Sequence, residues 1–170
     1  FAYSKKLANP LVDNLGTGYF TICRLKNGHY VGLSGLCHSD IFHVLDSDLN
    51  IVKRFGGFPL DGLTTDGSTT NMTLSFMGNL VNHGNSIYYA ANKFGYIARY
   101  DITDDLEIKL VWENFYSKTD YRIDNRQVKF GSDNLHGFSG IAVGKDYIFT
   151  TFSGIPTQQM YKERSAYAVD

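Results

Sequence analysis

Apolar and polar residues recur along this chain in one unit, repeated roughly every 60 residues. The unit is an apolar strand, a short polar turn containing Gly or Asn, and a second strand rich in aromatic and β-branched residues. It occurs at Thr21–Leu33, Asn79–Ala91 and Gly140–Phe152, and the first two copies continue into further hairpins at Asp40–Phe55 and Tyr96–Trp112. Four short antiparallel strands at such a period are typical of a β-propeller blade, so the pattern predicts an all-β fold built of blades.

The chain is expected to form one partial propeller domain, with blade one at about 18–56, blade two at about 72–113 and an incomplete blade three at about 136–170. The strands of blade one are predicted at Tyr19–Leu25, His29–Leu33, Asp40–Leu45 and Leu49–Phe55. Those of blade two are predicted at Met77–Val81, Ser86–Ala91, Tyr96–Asp101 and Leu106–Trp112. Blade three has predicted strands at Phe138–Val143 and Tyr147–Ser153.

The remaining stretches lack a clear strand pattern and are interpreted as loops: Gly56–Asn71, Ser117–Ser132 and Ile155–Asp170. No amphipathic helix is expected. About two and a half blades would leave strand edges unpaired. We therefore expect the chain to be about half of a six-bladed ring, or to pair with a second copy or with the rest of the propeller.

Composition narrows the choice of partners. The 170 residues carry a net charge of -1, and their basic and acidic side chains are mixed along the chain. Because no basic stripe is available to neutralise phosphates, nucleic acid is not an expected partner. No apolar run reaches the roughly 18 residues that a membrane-spanning helix needs, so no transmembrane segment is predicted.

Two cysteines, Cys23 and Cys37, lie close in sequence, and either a disulfide between them or two unpaired thiols fits the pattern. Neither belongs to a Cys/His set with metal-ligand spacing, so no structural zinc site and no cofactor are expected. The chain opens at Phe1 without an initiator Met, which we interpret as a processed or truncated product.

Two segments carry a family resemblance. The run DIFHVLDSDLNIVK, followed by GGFP (residues 40–59), and the run HGFSGIAVGKDYIFTTFSG (residues 136–154) resemble the TolB-like six-bladed propeller proteins of bacterial cell envelopes. The resemblance extends over residues 19–154, and its motifs are structural, with no catalytic residues to carry over. It implies a periplasmic or outer-membrane-associated protein, often a lipoprotein, that binds something.

Chain direction in such a fold sorts the loops between two faces, and ligands are expected at the face that carries the longer loops. That face holds Ser34–Asp40, Asn92–Gly95, Tyr121–His136 and Ser153–Gln159. The candidate binding residues there are His136 with Asp133, His38 with Asp40, and Arg126. An imidazole beside a carboxylate can serve as acid, base or ligand near neutral pH, although such a histidine can equally cap loop backbone groups. The mixture of basic and acidic residues in residues 121–136 favours a polar or anionic ligand.

One acidic stretch invites a calcium hypothesis. Asp46-Ser47-Asp48-Leu49-Asn50 begins like an EF-hand loop, but Ile51 occupies the position of the required Gly and Gly57 that of the final Glu. A hairpin turn is therefore the preferred interpretation.

Two functional hypotheses remain. The first is a non-enzymatic module that binds a polar ligand or a protein partner. The second is a metal-dependent hydrolase or lactonase with its metal in the central channel, which would need carboxylate or imidazole ligands from several blades. Only Asp133 and His136 clearly present such groups. Asp13, Asn14 and Asn71 are weaker candidates for further ligands. No catalytic residue is assigned.

Overall fold

A computed structural model of the protein describes residues 18–35, 40–63, 73–124 and 127–166. The first sheet contains β1 (Tyr19–Arg24), β2 (Tyr30–Ser34), β3 (Phe42–Leu45) and β4 (Ile51–Phe55). After a short 3-10 helix at Thr73–Phe76, the second contains β5 (Gly78–His83), β6 (Ser86–Ala91), β7 (Tyr96–Ile102) and β8 (Ile108–Phe115). In both sheets the strands pair antiparallel in chain order. The prediction of an all-β fold with four-stranded antiparallel sheets is confirmed.

Two hairpins and one helix complete the described chain. The hairpins are β9 (Tyr121–Asp124) with β10 (Gln127–Phe130), and β11 (Phe138–Val143) with β12 (Ile148–Phe152). The helix is α1 (Thr157–Ala166). The bounds of β6 and β11 match the predicted strands, and the other strands of the two sheets and β12 differ from theirs by at most three residues at an end.

Two predictions about loops were wrong. The stretch predicted as a loop between blades two and three contains the β9–β10 hairpin, whose Tyr121 and Phe130 pack against the main hydrophobic core. The stretch after β12, also predicted as a loop, forms α1 from Thr157 onward. Burial of two aromatic rings stabilises the hairpin despite its charged residues, whereas α1 is held by contacts of its first turn that are described below.

The turns between β3 and β4 and between β7 and β8 have the same geometry. In the first, Leu49 has φ 69° and donates its N–H to the carbonyl of Asp46 at 3.1 Å. In the second, Leu106 has φ 61° and donates to the carbonyl of Thr103 at 3.0 Å. A left-handed leucine is uncommon. Its occurrence at equivalent positions supports the internal repeat that the sequence pattern indicates.

The sheets pack in layers, with the second sheet in the middle. One face of β6 presents Ile87 and Tyr89 to the first sheet, where Phe42 meets the Tyr89 ring at 5.2 Å. The opposite face of the second sheet presents Ala90, which packs with Phe138 of β11. A strand covered on both sides is apolar at every position rather than at alternate ones. Ile87 through Ala91 are accordingly all buried.

The first strands of the three β units lie side by side. Strand β5 neighbours both β1 and β11, so the three units fan out from a shared inner edge. Within the first unit, the hydroxyl of Tyr19 on β1 lies 2.9 Å from Nδ1 of His43 on β3, which makes this buried imidazole part of the packing.

Candidate functional site

The two ends of the sheets differ in how the strands are connected. Because the strands run antiparallel in chain order, the connections that follow β2, β4, β6, β8 and β12 lie at one end, which we call the loop end. The hairpin turns after β1, β3, β5, β7 and β11 lie at the opposite end, the turn end. Long connections can carry recognition, whereas tight turns mainly hold strand register.

At the turn end, the turn between β3 and β4 is held by a carboxylate. The carboxylate of Asp46 accepts hydrogen bonds from the backbone N–H groups of Asp48 (2.9 Å) and Asn50 (2.8 Å). The Asn50 side chain also donates to Asp46, and this bond, with those from the backbone, lowers the pKa of the carboxyl. The preferred interpretation of this segment as a hairpin turn is confirmed, since it joins β3 to β4.

At the loop end, His136 is 8% exposed and lines a cavity of about 290 Å³, which we call the inner cavity. The cavity lies beside the starts of β5 and β11. Its walls include Met77, Asn92, Lys93, Phe138 and Met160. The backbone N–H of His136 donates to the carbonyl of Ile155 at 2.9 Å, which fixes the histidine against the chain that leads into α1.

The start of α1 holds the loop that carries His136. The carbonyl of Asn134 accepts bonds from the backbone N–H (2.9 Å) and the hydroxyl (3.1 Å) of Thr157, and the carbonyl of Ser132 accepts one from the N–H of Gln158 at 3.0 Å. The Asn134 side chain donates to the carbonyl of Lys93 at 2.8 Å. These bonds use otherwise unpaired N–H groups of the first helical turn. The loop, the helix and the end of β6 are thereby tied together.

The other predicted site residues do not join His136 in one cluster. Asp133 is in the same loop but exposed, with its carboxylate 3.4 Å from the side-chain nitrogen of Gln158. Asp40 is half-buried just before β3, in the first sheet. His38 and Arg126 lie outside the described residues, as do Cys37, Asp13, Asn14 and Asn71. Of the two cysteines, Cys23 has a free thiol.

A larger concavity, which was not expected from the sequence, lies over β7 and β8 of the second sheet, between the connections that follow β4 and β8. This outer cleft has a volume of about 590 Å³, within the range of roughly 300–1,000 Å³ common for small-molecule sites. One wall comes from residues 57–61 after β4, the floor from β7 and β8, and the far wall from residues 117–121. The hydroxyl of Tyr121 donates to the carbonyl of Asp61 at 3.1 Å and so joins the two walls.

Two tyrosines of β7 give the outer cleft its hydrogen-bonding character. The hydroxyl of Tyr96 donates to Oε2 of Glu113 at 2.7 Å. Burial, more than any other cause, raises the pKa of Tyr96, and neighbouring Tyr100 and Glu113 raise it further. Burial also raises the pKa of Tyr100. Both phenols therefore stay protonated near neutral pH, and the Tyr96 proton is donated to Glu113.

Comparisons of the chain with protein-family models, with curated proteins and with solved structures found no match. Within the described residues, no three His, Cys, Asp or Glu side chains come together in a group that could hold a metal ion. None of the helices in the described part of the chain is long and apolar enough to cross a bilayer.

Proposed function

We propose that this chain forms β-propeller blades that serve as a non-enzymatic binding module for a polar ligand or a protein partner. The propeller assignment is supported by three stacked antiparallel units whose first strands, β1, β5 and β11, are neighbours. Repeated turn geometry at Leu49 and Leu106 supports it further. The resemblance of residues 40–59 and 136–154 to TolB-like proteins leads us to propose an exported protein of the cell envelope.

One observation carries the binding proposal. Two concavities, the inner cavity and the outer cleft, are lined chiefly by loop-end connections, and a third of about 290 Å³ lies beside Arg122 and Lys129 on the β9–β10 hairpin. The hairpin itself belongs to the connection that follows β8. Cavities with a few convergent polar groups in apolar walls are where small ligands bind. Recognition is therefore assigned to the loop end.

Amide chemical-shift mapping with a mixed set of small probes would test this proposal. The probes are glucose, cellobiose, glutamate, adenosine monophosphate and trialanine, each titrated separately. We expect shifts from any probe that binds to be concentrated at loop-end residues such as Lys93, Lys118 and Gly137. Binding of a probe that perturbs Gly28, Gly84 and Gly144 at the turn end instead would contradict the proposal, and so would the absence of binding by every probe.

A matched pair of lysine variants compares the loop end with the turn end. Lys93 lines the inner cavity at the loop end, whereas Lys26 is exposed in a turn between β1 and β2. Both changes, Lys93→Ala and Lys26→Ala, remove one ammonium group and leave the backbone intact. We expect Lys93→Ala to weaken any probe that maps to the inner cavity and Lys26→Ala to leave it unchanged. The reverse result would show that the two ends have been assigned wrongly.

A further inference from the structure

The floor of the outer cleft offers an exposed aromatic face. Phe115, at the end of β8, is 43% exposed although it packs against Tyr96, whose ring centroid is 4.8 Å away. Phe94 stacks behind it at 6.5 Å. These contacts hold the ring in place while one side remains open to the cleft. Leu110, also on β8 and 42% exposed, extends the apolar floor.

The same floor carries a positioned carboxylate. Glu113 precedes Phe115 by two residues, and neighbours two apart in a strand lie on the same face. Oε2 of Glu113 accepts the Tyr96 hydroxyl at 2.7 Å, and within the described chain Oε1 has no hydrogen-bond partner. A carboxylate oxygen can accept hydrogen bonds from a ligand hydroxyl. Glu113 and Asp61 are negative and Lys118 is positive, so the charged side chains that line the cleft carry one net negative charge.

The far wall contributes a cationic donor. Lys118 lines the cleft between Ser117 and Thr119, and its side chain is exposed. The hydroxyl oxygens of Ser117 and Thr119 are themselves buried, and Ser117 Oγ lies beside Gly95, so neither oxygen is open to a ligand in the cleft. The Lys118 ammonium can donate hydrogen bonds to ligand hydroxyls.

We infer that the outer cleft binds a neutral saccharide, a conclusion that rests on the proposed binding function and specifies its ligand. A sugar ring presents a C–H face that packs on an aromatic ring such as Phe115, and it carries several hydroxyls that donate and accept. Those hydroxyls match the Glu113 carboxylate as an acceptor and the Lys118 ammonium as a donor. A purely apolar ligand would leave these groups unpaired. An anionic ligand would face the two carboxylates of Glu113 and Asp61.

Titration calorimetry with the intact chain tests the inference. The neutral probes are glucose, galactose, N-acetylglucosamine, cellobiose, lactose and N,N′-diacetylchitobiose, and glucuronic acid is the anionic comparison. At least one neutral saccharide should bind, and more tightly than glucuronic acid. Phe115→Ala should weaken it roughly tenfold, since an aromatic contact is worth up to about 1.5 kcal/mol. Phe149→Ala is the matched control, because Phe149 on β12 is 63% exposed and does not line the cleft.

Two further variants keep the test decisive. Phe115→Leu keeps most of the apolar volume but removes the flat ring, so it replaces Phe115→Ala if that variant does not fold. Glu113→Gln removes the charge with little change of shape, and it should weaken the saccharide several-fold while sparing the fold. Binding by none of the neutral sugars would overturn the inference, as would a sugar that Phe115→Ala and Glu113→Gln leave unaffected. If glutamate, adenosine monophosphate or trialanine still maps to the loop end, only the saccharide assignment has failed and the binding function stands.

Discussion

Two glycines three residues apart should respond differently to the same substitution. Gly137 lies just before β11, where a Cβ atom would collide with the backbone carbonyls of Ala91 and Phe94 in the second sheet. Gly140 lies within β11, and a Cβ there would meet nothing within 4 Å. Neither glycine has a positive φ. The difference between Gly137→Ala and Gly140→Ala therefore reports how closely the β11–β12 hairpin docks on the second sheet.

The size of the effect follows from the contacts of Gly137. Its N–H donates to the carbonyl of Asn92 at 2.9 Å, and its carbonyl accepts from the N–H of Ser153 at 2.7 Å. A methyl group at this position must either strain both bonds or separate the hairpin from the sheet. Overpacking of this kind, with weakening of bonds worth about 1 kcal/mol each, gives an expected loss of about 2–4 kcal/mol. Gly140→Ala should instead stabilise the fold by up to about 1 kcal/mol, because it restricts the unfolded chain.

Urea unfolding followed by circular dichroism measures both changes. With a denaturant slope of about 2 kcal/mol per M, Gly137→Ala should lower the midpoint by about 1–2 M, and Gly140→Ala should leave it unchanged or raise it slightly. Equal midpoints for the two variants would refute the argument that the hairpin packs against the carbonyls of Ala91 and Phe94. A lower midpoint for Gly140→Ala than for Gly137→Ala would refute it more strongly.

Two ionisable side chains give the remaining predictions. Burial alone would raise the pKa of Asp101, but hydrogen bonds from Ser86 (2.6 Å) and Arg99 (2.9 Å) outweigh burial and lower the pKa. The ionised form therefore stabilises the fold above the unfolded pKa of about 3.9. This contribution is lost as pH falls through the folded pKa. Because the side chain is 43% exposed, Asp101→Asn should lower the free energy of unfolding by less than about 1 kcal/mol at pH 7, and by progressively less below pH 4. Urea titrations measure the difference in stability between the variant and the unchanged protein, and a difference that stays constant down to pH 2.5 would disprove this. Burial raises the pKa of the Cys23 thiol to about 12, so iodoacetamide at pH 8 should label the Cys23 peptide, detected by mass spectrometry, only after denaturation. Rapid labelling in the native protein would contradict the burial of this thiol.

Local chemistry along the chain was sufficient to predict most strands and turns. Asn27-Gly28 indicates a turn because Gly accepts the positive φ of 92° that it adopts. The strand at Ser86–Ala91 was predicted with its observed bounds, since polar residues and a glycine turn flank a run of apolar and aromatic ones. Such signals are contained within a few neighbouring residues, so they predict strands and turns without knowledge of the rest of the fold.

The β9–β10 hairpin and α1 were not predicted, because their local sequence signals for a strand and a helix are weak or partly concealed. Tyr121 and Ile123 alternate with charged residues before Asn125-Arg126, which is a strand signal partly concealed by the charge density. Helix α1 has no apolar stripe, although Pro156 followed by Gln, Met, Lys, Glu and Arg is favourable for a helix. Bonds from its first turn to Asn134 and Ser132 hold it in place, and these partners are remote in sequence.

The candidate sites depended on tertiary structure more than the strands did. The sequence singled out His136, and the structure places it in the inner cavity, but Asp133 and Asp40 lie apart from that cavity's lining. The outer cleft combines segments near Phe58, Tyr96, Phe115 and Thr119. No local sequence pattern predicts that these segments come together. Strand periodicity depends on short-range backbone geometry, which the sequence specifies directly. A cleft depends on how separate sheets pack, and that is decided by burial of apolar surface across the whole domain.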